Sequence, residues 1–243
     1  MGPLFFEACV ASLQAARAAE FGGADRIELC SRLESGGITP SPALMIASAA
    51  AVAIPVHVLI RPREGDFVYS PREYDEMLRQ IDAARDAGAG GVALGVLDAE
   101  ERVDVKRTRT LIEYARPLQA TFHRAFDETL DLGQALEDTI EAGADSLLTS
   151  GGARDVLSGA ASIAELAQQA GERIRIIAGG GLRLSNLCEV VRRSGVYALH
   201  GSLTRESHGA DGEPDVRLLE RSVRDAIRLL RDLHGKQAIA VPE

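Results

Sequence analysis

Two carboxylate–thiol pairs share one spacing, Glu7-Ala8-Cys9 and Glu28-Leu29-Cys30, and each lies in a short apolar run. Side chains alternate across an extended strand, so residues two apart share a face. If Glu7 and Glu28 face the interior, Cys9 and Cys30 do too. Neighbouring strands lie ~4.8 Å apart, near enough for two thiols at matching heights to meet. Thiolates are soft ligands that select Cu(I) or Zn, whereas an unligated buried cysteine packs as a small hydrophobe, and the spacing allows either. His123 and His200 each end another apolar run. With Glu7 and Glu28 they could form a hard-metal site or an acid–base pair tuned by burial. Arg61 and Arg63 could clamp a carboxylate or phosphate bidentately. Gly179-Gly180-Gly181 and Gly201-Ser202 follow the last two runs, where bare backbone N–H groups and a helix N-terminus suit an anion. His57 begins its run and reads as structural.

These residues need strands to carry them. Apolar runs at Phe5 to Cys9, Arg26 to Cys30, Val56 to Ile60, Gly91 to Leu94, Gln119 to His123, Ser146 to Thr149, Arg173 to Ala178 and Tyr197 to His200 alternate with helical patterns, the last spanning Asp215 to Leu233. No hairpin signal intervenes and every crossover is long enough for a helix, so the sheet is parallel. Eight units predict a (β/α)8 TIM barrel; an open doubly wound sheet is the alternative. A Gly-punctuated repeat at Gly22 to Leu29 returns before strands 4, 6 and 8, which gives quarter symmetry with two βα units per repeat. One domain is expected over residues 1–243, with a frayed tail from about 235. In such a barrel the C-terminal ends of the strands carry function, and the candidates fall there.

Composition narrows the partners. The 243 residues carry a net charge of -9, which works against binding a phosphate backbone. Nucleic acid is therefore not an expected partner. No basic leader precedes Glu7, and the longest nearly apolar stretch, Met45 to Ile60, is broken by Ser48, Pro55 and His57. A membrane span is not expected, and a cytoplasmic location is. Three cysteines without a secretory signal predict reduced thiols.

Taken together, Glu7-Ala8-Cys9, Gly23 to Cys30, Gly36-Gly37-Ile38-Thr39-Pro40-Ser41, Ile60-Arg61-Pro62-Arg63, Gly65-Asp66-Phe67, Thr121 to Asp127, Leu148 to Gly151 and Ala178 to Gly181 resemble the CutC family, the so-called copper homeostasis proteins. The resemblance covers nearly the whole chain. It implies a cytoplasmic TIM barrel, often oligomeric, with a disputed association with copper tolerance, and it matches Cys9 and Cys30 to the cysteines to which Cu(I) binding is attributed in animal members. The chain departs from the family pattern at Glu64, where a glycine is usual, and at Gly201, beside His200; Leu203 to Pro214 also looks shorter than in many relatives.

Two functions follow as expectations. One is copper handling, with Cu(I) on Cys9 and Cys30. The other is an enzyme acting on a small anionic, phosphorylated or polyhydroxy molecule. Glu28 and His123 would exchange protons, Glu7, Arg61 and His200 would assist, and Gly179, Gly180, Gly181, Gly201 and Ser202 would cradle an anion. A homo-oligomer is compatible with either.

Overall fold

The computed structural model describes residues 4–203 and 215–239. Eight parallel strands close into a barrel in chain order: β1 (Phe5–Val10), β2 (Arg26–Leu29), β3 (Val56–Leu59), β4 (Gly91–Leu94), β5 (Gln119–Phe122), β6 (Ser146–Thr149), β7 (Arg175–Ala178) and β8 (Ala198–Gly201). Helices α1 (Leu13–Gly22), α2 (Pro42–Ala51), α3 (Pro71–Asp86), α4 (Val105–Ala115), α5 (Leu132–Glu141), α6 (Ala160–Ala170), α7 (Leu184–Ser194) and α8 (Val216–Ile239) connect or follow them. This is the (β/α)8 barrel expected from the alternation.

Local chemistry sets the boundaries. Ser12, Ser41, Ser70, Asp104 and Asp131 each accept a hydrogen bond from the backbone N–H three residues on, which starts α1 to α5. Gly23 ends α1 in the left-handed region at φ 95°, where a side chain is strained. Several strands end one residue earlier than the apolar runs do. Cys30, Ile60 and His123 each keep one inter-strand bond, to Val10, Ala93 and Leu94 oxygens, and then turn into loops. At the other end of the chain α8 runs on to Ile239, so most of the tail expected to fray from about residue 235 is helical. Gly235 costs a helix only ~1 kcal/mol relative to alanine and does not stop it. The rest of that tail, 240–243, and the segment 204–214 lie outside the described residues.

The strands are buried on both faces, for different reasons. Phe6, Ile27, Val58, Leu94, Phe122 and Leu199 belong to the apolar layer that packs with the helices. The opposite parity is mostly polar, although barrel interiors are usually filled by branched apolar residues. Glu7, Arg26, Glu28, His57, Thr121, His123 and His200 are all at least nine-tenths buried. β4 and the residue after it make room for them by omitting side chains. A Cβ at Gly95 would stand 2.7 Å from the His123 ring, and one at Gly91 would strike the ring of His57.

The barrel's seam is closed by α1 against α8. A Cβ on Gly22 would lie 2.7 Å from Val223 Cβ and 2.8 Å from the Glu220 carbonyl oxygen. Gly22→Ala is therefore expected to lower unfolding free energy by about 1–3 kcal/mol through overpacking, read as a lower midpoint in chemical denaturation.

Candidate functional site

An ion chain occupies the centre of the mouth. Parallel pairing sets Glu7 beside Arg26 on β2 and beside His200 on β8. Arg26 Nε donates to Glu7 Oε2 at 2.5 Å, and His200 Nδ1 donates to Glu7 Oε1 at 2.7 Å. His200 Nδ1 also lies 3.4 Å from Glu28 Oε2. The two carboxylates are thus held by unequal surroundings. Burial works against the charge of Glu7, but the Arg26 guanidinium and the His200 imidazole more than offset it and keep its carboxyl well below the usual range. Burial pushes Glu28 up to about 7, and the anion at Glu7 adds to that rise. His200 is also buried, yet the carboxylates of Glu28 and Glu7 raise its pKa. Two acidic groups driven apart by environment are the usual arrangement for dividing fixed charge from mobile proton.

The chain opens onto a cavity of about 690 Å³, lined among others by Glu28, His200, Cys9, Arg61, His123 and Phe67. Cys9 and Cys30 share an apolar corner with Leu59 and Ala93, their sulfurs 3.8 Å apart. The mutual hydrogen bond first, then burial and the nearby carboxylates, raise the Cys9 pKa well above that of a free thiol. Cys9 Sγ, a Glu28 oxygen and a His200 nitrogen all lie within 4.8 Å of one another. On the far wall, Arg61 gives Nη1 to the Gly37 carbonyl at 2.9 Å and Nη2 to the Gly65 carbonyl at 2.7 Å. The Ala125 N–H donates to His123 Nδ1, so the neutral ring carries its proton on Nε2. Burial, helped by the charge of Arg61, lowers its pKa to about 3. Phe67 packs on both side chains, 4.8 Å from Arg61 Cζ and 5.0 Å from the His123 ring.

The β7 and β8 loops divide the expected anion cradle. Gly180, Gly181 and Ser202 line the cavity. Gly180 and Gly181 take φ of 101° and 71°. Gly179 lies beneath them, where a Cβ would meet His200 Cβ at 3.0 Å. Gly201 does not join the cradle. β8 continues through it opposite Ala8, and its α-carbon faces Leu182, away from the cavity. The expected Arg61–Arg63 clamp also separates, because Arg63 pairs with Asp66 and Glu73 in its own loop.

The structure therefore brings Glu28, His200, Arg61, His123, Cys9 and Cys30 to one cavity and sets Glu7 behind it as an anchor. Sequence reasoning passed over Arg26 and Phe67. The signal for Arg26 was present: it shares the parity of Glu28 and Cys30, so it had to face inward with them. His57, taken as structural, is buried inside the barrel and kept neutral by burial, with a pKa of about 4.

Comparisons with known proteins bear on the family and the fold. A family model described as the CutC family matches residues 4–205. This chain belongs to the CutC family. A CutC family protein from Caulobacter vibrioides is 44% identical over 241 residues, covering 95% of this chain and 98% of that protein. One from Chromobacterium violaceum is 44% identical over 196 residues, covering 81% and 79%. Among solved structures, CutC from Streptococcus agalactiae superposes with a TM-score of 0.78 at 28% identity, covering 82% of this chain and 99% of that one. Phosphoribosylanthranilate isomerase from Pyrococcus furiosus, at 17% identity and TM-score 0.60, shares the fold.

Glu28 carries a stability prediction. Its folded pKa, about 7, lies above the ordinary 4.5. Its contribution is complete below about pH 4.5 and is lost as pH rises through about 7, because the buried anion must then form. Glu28→Gln should thus gain on wild type as pH rises from 4.5 to 7, on the order of 1–3 kcal/mol, and level off above 7. Paired denaturation curves across that range check it.

Proposed function

We propose that this barrel is an acid–base catalyst for a small polar molecule, with Glu28 as the proton carrier. The observation that carries this reading is a buried carboxyl held near 7 on the wall of a cavity, beside an imidazole anchored by a second, permanently ionised carboxylate. A group that titrates near working pH can both take and return a proton. Glu7 and Arg26 position His200, which neutralises Glu28 when it ionises. His123 Nε2–H and Arg61 orient the substrate and stabilise negative charge that develops on it. A metal carrier requires neither of those two groups. The enzyme acts as a single barrel domain in the cytosol, and no helix among the described residues is long and apolar enough to cross a membrane.

The test is solvent-hydrogen exchange in D2O, followed by NMR, across small sugars, sugar phosphates and sugar acids. Wild type is expected to wash deuterium into a carbon-bound position of at least one class, and Glu28→Gln to slow this by about 100-fold or more. Exchange that persists in Glu28→Gln, or none in any compound, contradicts the reading.

A second reading is Cu(I) binding by Cys9 and Cys30, in keeping with the provisional description of the Streptococcus agalactiae relative as a copper homeostasis protein. The closeness of the two sulfurs, 3.8 Å apart, supports it, since soft thiolates on adjoining strands are what Cu(I) selects. The raised pKa of Cys9 opposes it, because each thiol must lose its proton to ligate. Anaerobic Cu(I) titration decides: tight one-to-one binding by wild type, lost in Cys9→Ser/Cys30→Ser, supports copper handling, and equal binding by both proteins removes it.

A further inference from the structure

The interior of the mouth is close to charge-balanced, with one exception. Arg26 is matched by Glu7, Arg124 by Asp127, and Arg63 by Asp66 and Glu73. Arg61 is more than nine-tenths buried and has no carboxylate partner among the described residues. Two backbone carbonyls and the face of Phe67 hold its guanidinium in place, but none of them carries a compensating charge. Buried charges are ordinarily paired, because an unpaired one forfeits its hydration without return.

Two nitrogens in the same corner lack hydrogen-bond partners. Among the described residues, Arg61 Nε and His123 Nε2 are buried without a hydrogen-bond partner, and so is the Tyr69 hydroxyl, which lies beside Arg61. Since Nδ1 of His123 accepts from Ala125, its Nε2 is a donor, so both nitrogens are N–H groups awaiting an acceptor. They belong to side chains that line one cavity and pack on one aromatic ring, with Gly95, just after β4, leaving the space that His123 occupies. Buried polar groups are satisfied in the large majority of cases, so unmatched donors on two side chains of one cavity point to an acceptor supplied from outside.

We propose that this corner binds the carboxylate of a small hydroxy- or oxo-monocarboxylic acid. Among the described residues the charge count selects a monoanion: one guanidinium is uncompensated, and His123 contributes a donor without charge. A phosphate dianion would leave an excess negative charge facing the Glu7 carboxylate. The planar guanidinium edge and its neighbouring N–H suit two coplanar oxygens. Both orphaned nitrogens are closed off from solvent, so the carboxylate enters by shifting the Phe67 ring. Its remaining oxygen-bearing carbons extend toward the Glu28 side of the cavity. This inference rests on the catalytic reading above and names the class of its substrate.

Titration calorimetry tests it with hydroxy- and oxo-monocarboxylates of three to six carbons, glycerate and gluconate among them, against glycerol, glycerol 3-phosphate and inorganic phosphate. Wild type is expected to bind at least one monocarboxylate ten-fold or more tightly than its phosphorylated and neutral counterparts. Arg61→Gln should weaken that binding at least thirty-fold. Because Arg61 also braces two loops, His123→Phe is the second variant: it keeps the ring's bulk, removes the Nε2–H and the Nδ1 acceptor of the Ala125 N–H, and should weaken binding about five-fold while lowering the melting temperature only slightly. Preference for phosphate or neutral polyol, or affinity unchanged in both variants, overturns the proposal. The two readings fail separately. Deuterium exchange confined to phosphorylated or neutral compounds leaves Glu28 catalysis standing and removes the carboxylate corner. Arg61-dependent carboxylate binding without any exchange does the reverse.

Discussion

The contact on which the mouth of this barrel depends is the pair of hydrogen bonds that Glu7 receives from Arg26 and His200. A carboxylate inside a barrel is costly unless its charge is met at once, and here a guanidinium and an imidazole on the two flanking strands meet both oxygens. Satisfying Glu7 fixes the ring of His200, and the fixed ring faces Glu28. Among the described residues, Glu28 pairs with no guanidinium. It feels the buried anion at Glu7 and the loss of water, so its proton is retained to near neutral pH. Burial and this neighbouring anion together make the Glu28 carboxyl hold its proton more tightly than an ordinary one does. Such a chain also costs stability that an apolar interior would supply, which fits a site kept for chemistry rather than for folding.

The rest of the fold accommodates that chain. β4 and the residue after it are stripped to Gly91, Ala93 and Gly95 on the inner parity, which leaves space for His57 and His123 from the strands on either side. The loop after β3 wraps Phe67 over Arg61 and His123, and the loops after β7 and β8 bring Gly180, Gly181 and Ser202 to the opposite rim. Asp127 braces the wall between, accepting from Thr149 Oγ1, from the Ser150 and Gly152 N–H groups and from Arg124. The cavity is thus walled by loops from distant parts of the chain, as expected at the C-terminal face of a barrel.

Much of this was legible in the sequence. Alternating parity placed Glu7 with Cys9 and Glu28 with Cys30, and the alternation of apolar runs with helical patterns marked out the eight units of the barrel. What escaped was pairing between strands. The sequence shows that Arg26 faces inward but not that the register sets it beside Glu7, so the carboxylates read as equals when their environments are opposite. Gly201 was misplaced for a similar reason. β8 carries its ladder one residue past His200, and the glycine expected to open a loop remains a strand residue against Leu182. Arg63 looked like a partner for Arg61 because only local spacing was visible, whereas Asp66 and Glu73 claim it.

The central claim is that Glu28 holds its proton to near neutrality while Glu7 does not. NMR of the side-chain carboxyl carbons, titrated from pH 4 to 9 with Glu28→Gln used to assign the signal, measures this directly. The account predicts a midpoint near 7 for Glu28 and an ionised Glu7 across the whole range. A Glu28 midpoint near the ordinary 4.5 would contradict it.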